Sequence, residues 1–206
     1  MADHAFLAGF KTHYGIDAAD TESDAGLNSL FPKIVSKIEQ RTGGLVLIKA
    51  GTDDTEYHDG NGRTGTIFAR KFPINDVTSI HTSTAIPRAY GASELVDTDD
   101  YSWDAETAKI YLLGSTTTTS SFPAGQDTVQ LVYRPGYEDV DAVPEDLVDA
   151  VYEWVRDSQL RNENNRQGIR SVNAADGTTS YVVGPIPDNV KDALEPWTMI
   201  ELGSNR

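Results

Sequence analysis

Several stretches of this chain have residue types and spacings that invite a chemical reading. Gly60-Asn-Gly-Arg-Thr-Gly65 matches the letters of the dinucleotide-binding fingerprint. That chemistry needs a strand before the loop and a helix after it, so that backbone N–H groups at the helix start meet a pyrophosphate. Here the loop runs into Thr66-Ile-Phe-Ala, which patterns as a strand. The segment therefore reads as a glycine-rich β-turn and implies no cofactor. Asp97-Thr-Asp-Asp100 with Asp104 brings carboxylates close together, as a hard cation requires, but the turn glycine and the terminal Glu of a calcium loop are missing at the needed offsets. These acids read as solvated surface, and no metal ligand is assigned. The histidines at 4, 13, 58 and 81 are scattered and do not form the paired helical spacing of a zinc site. No Gly-x-Ser-x-Gly elbow occurs, and no carboxylate cluster sits where burial would raise its pKa. No catalytic residue is assigned, and a hydrolase using acids of the central region is the weakest reading.

Composition narrows the field further. The 206 residues suffice for one large domain, or a small domain with an insertion, burying roughly 70% of the unfolded surface. There is no cysteine, so neither disulfides nor thiolate chemistry contribute, which fits a reducing compartment or a scaffold that needs neither. The N-terminus lacks a basic region followed by an apolar core, and no apolar run approaches ~18 residues, so neither a signal peptide nor a membrane span is expected. Acids outnumber bases 32 to 17, for a net charge of −15. Such a chain is unsuited to gripping nucleic acid through phosphate neutralisation, although it can line a path that must repel it. Between Arg88 and Lys109 lie Glu94, Asp97, Asp99, Asp100, Asp104 and Glu106 with no base among them.

The elements that would position these residues are legible to different degrees. The clearest is a helix over 143–168. Val143, Leu147, Ala150, Val151, Trp154 and Val155 follow helical spacing; Pro144 suits the first helical position, and Glu145, Asp146 and Asp149 complement the positive end of the dipole. Arg156, Arg161 and Arg166 lie toward its other end, and Gly168 is a stop. The helix would run roughly 36 Å, yet from Gln159 to Gln167 its only apolar residue is Leu160. That half is either a solvated end or a surface for another chain. A second helix is carried by Leu27, Leu30, Phe31, Ile34, Val35 and Ile38, with Thr21 and Asp24 spaced as a capping box and Gly43-Gly44 as its end. Pro32 falls inside it, which predicts a kink or a start near Asn28–Pro32. Residues 1–19 are either a brief helix ending at Gly15 or an arm. From Leu45 to Tyr137 the pattern turns to short β-branched and aromatic runs at 45–49, 65–72, 77–81, 109–113 and 128–133, the signature of an antiparallel β module. Asp100–Asp104 and Lys109–Leu113 read as hairpin arms, and the Thr-rich stretch 114–125 as an exposed loop. An extended arm over 171–183 and a short helix on Val190, Ala193, Leu194 and Trp197 close the chain.

In this order the parts resemble a known family. The helix ending in Thr-Gly-Gly, Glu56-Tyr-His-Asp-Gly60, Phe72-Pro-Ile-Asn-Asp-Val-Thr-Ser-Ile80 and Asp99-Asp-Tyr-Ser-Trp-Asp104 come first, then Lys109-Ile-Tyr-Leu112. Val132-Tyr-Arg-Pro-Gly-Tyr137 leads into Val143-Pro-Glu-Asp-Leu-Val-Asp-Ala-Val, and Ile186-Pro-Asp-Asn-Val-Lys-Asp-Ala-Leu-Glu-Pro-Trp197 follows the arm. Over roughly 20–197 this resembles the head–tail connector proteins of tailed bacteriophages, also called adaptor or head-completion proteins. The resemblance implies an α+β fold: a small helical bundle with an inserted antiparallel β domain, an extended arm and a short C-terminal helix. The segments would be 1–43 with the first bundle helix, 44–138 as the β domain, and 139–206 completing the bundle. It implies a non-enzymatic virion protein of the neck, assembled in the host cytoplasm as a ring homo-oligomer, a dodecamer. The ring would bind the portal protein, with its C-terminal region toward the portal, and offer a surface to a downstream neck or tail-completion protein. Double-stranded DNA would pass through its channel without specific binding, and acids would line that channel. No cofactor or membrane is involved. Head-to-tail contacts close such rings, and Arg156, Arg161, Arg166, Arg170, Tyr181 and Trp197 are the candidate residues for the subunit or portal interface. The alternative is a tail-fibre or glycan-binding β module, for which aromatic residues gathered on one exposed face of 45–137 would speak.

Overall fold

A computed structural model of the chain describes residues 4–49, 51–114, 121–163 and 184–198. The chain divides into two compact units, one made of Met1–Gly43 with Asp139–Arg206, the other of Gly44–Glu138. Mixed helices and antiparallel sheets make the fold α+β, as the sequence leads one to expect.

In the first unit the described helices are α1 (Leu7–His13), α2 (Asp24–Thr42), α3 (Glu145–Glu163) and α4 (Asp188–Leu194). α2 buries Leu27, Leu30, Phe31, Ile34 and Ile38, and α3 buries Leu147, Ala150, Val151, Trp154 and Val155. Each of the buried Leu, Ile, Val and Phe side chains contributes about 1.5–3 kcal/mol when removed from water. α3 packs against both α2 and α4. The undecided N-terminal segment is a helix: Phe10 meets Phe31 and Tyr152 edge-on, with ring centres 5.6 and 5.7 Å apart. Its close approach to α3 depends on Gly9, where a Cβ would lie 2.1 Å from the Tyr152 hydroxyl oxygen.

Two expectations about α2 are corrected. The helix does not start near Asn28–Pro32 but runs from Asp24 through Pro32 to Thr42. A proline inside a helix costs about 3 kcal/mol, but Pro32 is exposed while Leu27, Leu30 and Phe31 before it are buried, so tertiary packing holds the first turns in place. The capping box does not form either. Ser23 is the cap residue without a side-chain bond, and the Asp24 carboxylate is taken instead by Lys11 Nζ at 2.7 Å. Gly43 ends the helix with φ 77°, as its position predicts.

The second unit contains β1 (Asp54–Gly60), β2 (Thr66–Phe68), β3 (Ile74–Thr82), β4 (Tyr101–Asp104), β5 (Lys109–Leu112) and β6 (Gly125–Pro135). They form two three-stranded antiparallel sheets, ordered β1-β6-β3 and β2-β5-β4. β6 alternates, burying Val129, Leu131 and Tyr133. β3 buries Ile74, Val77 and Ile80 at a spacing of three, because bulges at Ile74/Asp76 and Val77/Ser79 each insert a residue against β6. The β4–β5 hairpin forms where the sequence places it.

Segment 45–49 is no strand. It bends at Leu47 and Ile48 and buries Leu45 and Leu47, and apart from one parallel bridge to Phe72 it is tied by isolated bonds such as Lys49 N–H to Tyr137 O at 2.9 Å. Likewise only Thr66–Phe68 of 65–72 pairs as a strand. Gly136 lets the chain pass this segment: its φ is +105°, and a Cβ there would lie 2.6 Å from the Lys49 nitrogen. Gly136→Ala is therefore expected to destabilise the β unit by about 2 kcal/mol. Urea unfolding followed by tryptophan fluorescence checks this, and an unchanged midpoint would contradict it.

Candidate functional site

The sequence points to α3 as the carrier of any assembly surface. Its start is well prepared. Asp139 Oδ1 accepts the Ala142 N–H at 3.0 Å in the preceding turn, and the Pro144 carbonyl accepts the first helical N–H groups, from Leu147 and Val148. The second half differs from the polar end read in the sequence. Ser158 and Gln159 are buried, while the apolar Leu160 is 39% exposed. Burial of Ser158 follows from the return of the chain: Ser158 Oγ accepts the Gly184 N–H and Trp154 Nε1 donates to Gly184 O, both at 3.2 Å.

Of the candidate interface residues, Arg156, Arg161 and Trp197 are described; Arg166, Arg170 and Tyr181 lie outside the described residues, as does the arm over 171–183. Arg156 is half-buried, donates to Gln159 Oε1 at 3.1 Å and lies 5.6 Å over the Tyr14 ring. Arg161 Nε pairs with Asp157 at 2.7 Å, one helical turn back. Trp197 Nε1 donates to Asp146 Oδ2 at 2.8 Å, tying the end of the described chain to the start of α3. The structure thus places Arg156 and Arg161 along the second half of α3 and Trp197 beside its first turn, so these do not form one cluster.

That first half of α3 carries a feature the sequence reading missed. α3 and α4 enclose a groove of about 270 Å³, lined by Asp146, Asp149 and Glu153 on α3 and by Asn189 on α4, with Ala150, Val190 and Ala193 as apolar lining. Glu153 accepts a hydrogen bond from the Asn189 amide. Asp149 stands 3.8 Å from His13 Nδ1. The signal was present as acids spaced three and four apart, but it reads equally well as a complement to the helix dipole.

The stretches that invited a chemical reading serve local structure. Asn61 Oδ1 accepts the N–H groups of Arg63 and Thr64, both at 2.8 Å, and closes the glycine loop, which feeds strand β2 rather than a helix. Asp97 caps the 3-10 turn Thr98–Asp100, and Asp104 accepts from Glu106 and Thr107 in the hairpin turn.

A polar cluster not singled out in the sequence lies inside the β unit. Glu56 is buried on β1; it accepts the Tyr133 hydroxyl at 2.5 Å and the Arg70 N–H at 3.1–3.2 Å, and stands 3.1 Å from His58 Nε2. Burial alone would raise the carboxyl's pKa, but the nearby His58 imidazole and the bonds from the Tyr133 hydroxyl and the Arg70 amide outweigh it and hold the group below the ordinary 4.5. Burial, then the Glu56 carboxylate, push the Tyr133 phenol far above its usual value. With its oxygens so engaged, Glu56 is an anchor joining β1, β6 and the 70–71 turn, not a poised general base.

Comparison with solved structures then bears on the whole chain. A chain from the neck of an empty GTA particle computed with C6 symmetry aligns with all of this chain and 96% of its own, at 18% identity and a TM-score of 0.59. One from the neck of a native GTA particle computed with C12 symmetry aligns at 17% identity and a TM-score of 0.59, over 98% of this chain and 92% of that one. This chain shares its fold with GTA neck chains. A chain from the virion of a native gene transfer agent particle matches similarly, at 20% identity, a TM-score of 0.57, and 96% and 90% coverage. The connector resemblance in the sequence and the GTA neck fold therefore agree. No family model and no curated protein sequence matches the chain.

The Glu56 anchor carries a pH dependence. Its depressed folded pKa means that the contribution is in place above about pH 4.5 and is lost as pH falls; the raised Tyr133 value means a contribution in place below about pH 10 and lost as pH rises. Glu56→Gln is expected to lower the neutral-pH stability by about 2 kcal/mol and to flatten the acid limb. Urea midpoints measured from pH 3 to pH 8 check this. An acid limb as steep in the variant as in the parent would contradict it.

Proposed function

We propose that this chain is a structural, non-enzymatic subunit of a virion neck. It forms a ring homo-oligomer that joins the portal vertex to the next neck or tail component and extends the DNA channel. The observation that carries the reading is the full-length likeness to neck chains of particles computed with C6 and C12 symmetry. A dodecamer accommodates both symmetries. The ring would assemble in the host cytoplasm, pass double-stranded DNA without specific contacts and take no cofactor. A net charge of −15 per subunit supports an acid-lined channel, since repeated like charge along the bore keeps the DNA from adhering.

The glycan-binding alternative has less support. Among the described residues the aromatics exposed on the β unit are Tyr57 and Phe68, on strands of different sheets; beside Tyr57 lies the half-buried Tyr90, with ring centres 5.4 Å apart, so the exposed aromatic surface is a single pair and not a row.

Arg156 and Arg161 remain the proposed contact residues of α3, joined by Arg166 and Arg170 further along the sequence; Tyr181 and Trp197 are assigned to the same subunit or portal interface. An arginine already held by an intrachain carboxylate, as Arg161 is by Asp157, is pre-oriented to accept a second carboxylate from a partner. Replacing Arg161 and Arg166 by Glu is expected to weaken ring or portal assembly about tenfold or more while the monomer stays folded. Negative-stain imaging of the purified chain mixed with its portal protein tests the function itself. Rings seated on the portal are expected, and a chain that never binds portal would overturn the reading.

A further inference from the structure

α2 and the α3–α4 pair carry opposite charge on the faces they turn to solvent. Burial of Leu30, Phe31, Ile34 and Ile38 turns Lys33, Lys37 and Arg41 outward, and all three are exposed. At a spacing of four they form one row about 12 Å long. From Ser29 to Thr42 the only acid is Glu39, in a chain where acids outnumber bases 32 to 17. The row is also positioned. Lys33 Nζ donates to Ser29 Oγ at 3.0 Å, and Lys37 Nζ stands 5.8 Å over the Trp154 ring.

The α3–α4 groove is the converse. Asp146, Asp149 and Glu153 line it together with the apolar Ala150, Val190 and Ala193. A groove of this composition fits a helix that brings aliphatic stems and cationic ends, since lysine and arginine lay their methylenes on apolar surface and keep their charges at the rim. Row and groove belong to one unit but to different helices, because α3 packs on α2 and on α4. Two unlike, complementary patches on one subunit are what a head-to-tail contact requires.

We propose that the Lys33–Lys37–Arg41 row of one subunit seats in the acidic α3–α4 groove of the next copy around the ring. This rests on the ring assembly proposed above and names the surfaces that form it. Self-pairing of either patch would set like charges against each other, so the contact propagates in one direction until the ring closes.

The test is a charge swap read by sedimentation and mass photometry, with thermal melts to confirm folded monomers. The variant K33E/K37E/R41E and the variant D149K/E153K should each lose at least tenfold in ring yield. Mixed in equal amounts they should recover rings, because each supplies the charge the other now needs, and a misfolded variant could not be rescued this way. Wild-type rings should weaken as salt rises from 50 to 500 mM. Rings formed normally by either variant alone, or two folded variants whose mixture stays monomeric, would overturn the proposal. So would a groove variant that forms rings but no longer binds portal, since the occupant would then be the portal. A wild-type chain that stays monomeric at every concentration, alone and with portal, would instead defeat the ring reading itself.

Discussion

Leu147, Ala150, Val151, Trp154 and Val155 are buried along α3, and both α2 and α4 pack on that helix, so the helical unit depends on one apolar face. α1 joins through Tyr152, whose ring meets Phe6 and Phe10 edge-on. Neither α1 nor α4 is long enough to be stable alone at 7 residues each, and each exists because it docks. Gly184 is bonded to both Trp154 and Ser158, which fixes where the chain comes back onto α3 before α4 begins. Loss of packing at Trp154 would therefore release the return of the chain as well as a core side chain.

The β unit rests on a different kind of constraint. Its first strand, Asp54–Gly60, has a single buried position, and that position is Glu56 rather than an aliphatic residue. A buried carboxylate is tolerated only when its oxygens are satisfied, which ties the strand to Tyr133 and to the Arg70 amide. Specific bonds, not apolar area, thus fix the register of an acidic strand that could otherwise slide. Asp53 with Arg134 and Thr78, and Asp54 with Lys71, extend the same device toward the surface.

How much of this was legible in the sequence follows from those two kinds of force. α2, α3 and α4 could be read because apolar spacing, the Gly43 stop and the Pro144 start agree. β1 could not, since an alternating pattern whose inward residue is a glutamate carries no apolar signal. Segment 45–49 misled in the other direction: its Leu45 and Leu47 are buried as a strand's would be, yet it finds no ladder. Pro32 and the Thr21–Asp24 spacing misled because local rules yielded to burial of Phe31 and to the Lys11–Asp24 pair. The acids of the candidate groove were visible as residues but not as a groove, which only the docking of α4 creates. For the second half of α3 hydropathy inverted the truth, with Leu160 exposed and Ser158 buried, because the Gly184 backbone that meets Ser158 is distant in sequence.

The proposed neck role calls for a stable body whose surfaces join only in the right order, and the separation of charge between α2 and the α3–α4 groove would supply such an order within one helical unit. In the proposed ring, a net charge of −15 per subunit would keep free subunits apart and DNA unbound, while the local basic row would serve assembly. The most direct measurement is the native mass of the protein assembled with its portal and then released from it. A closed ring of twelve 22.5 kDa subunits predicts a species near 270 kDa with twelve-fold symmetry in images. A 22.5 kDa monomer under every assembly condition, or an open chain of indefinite length, would contradict it.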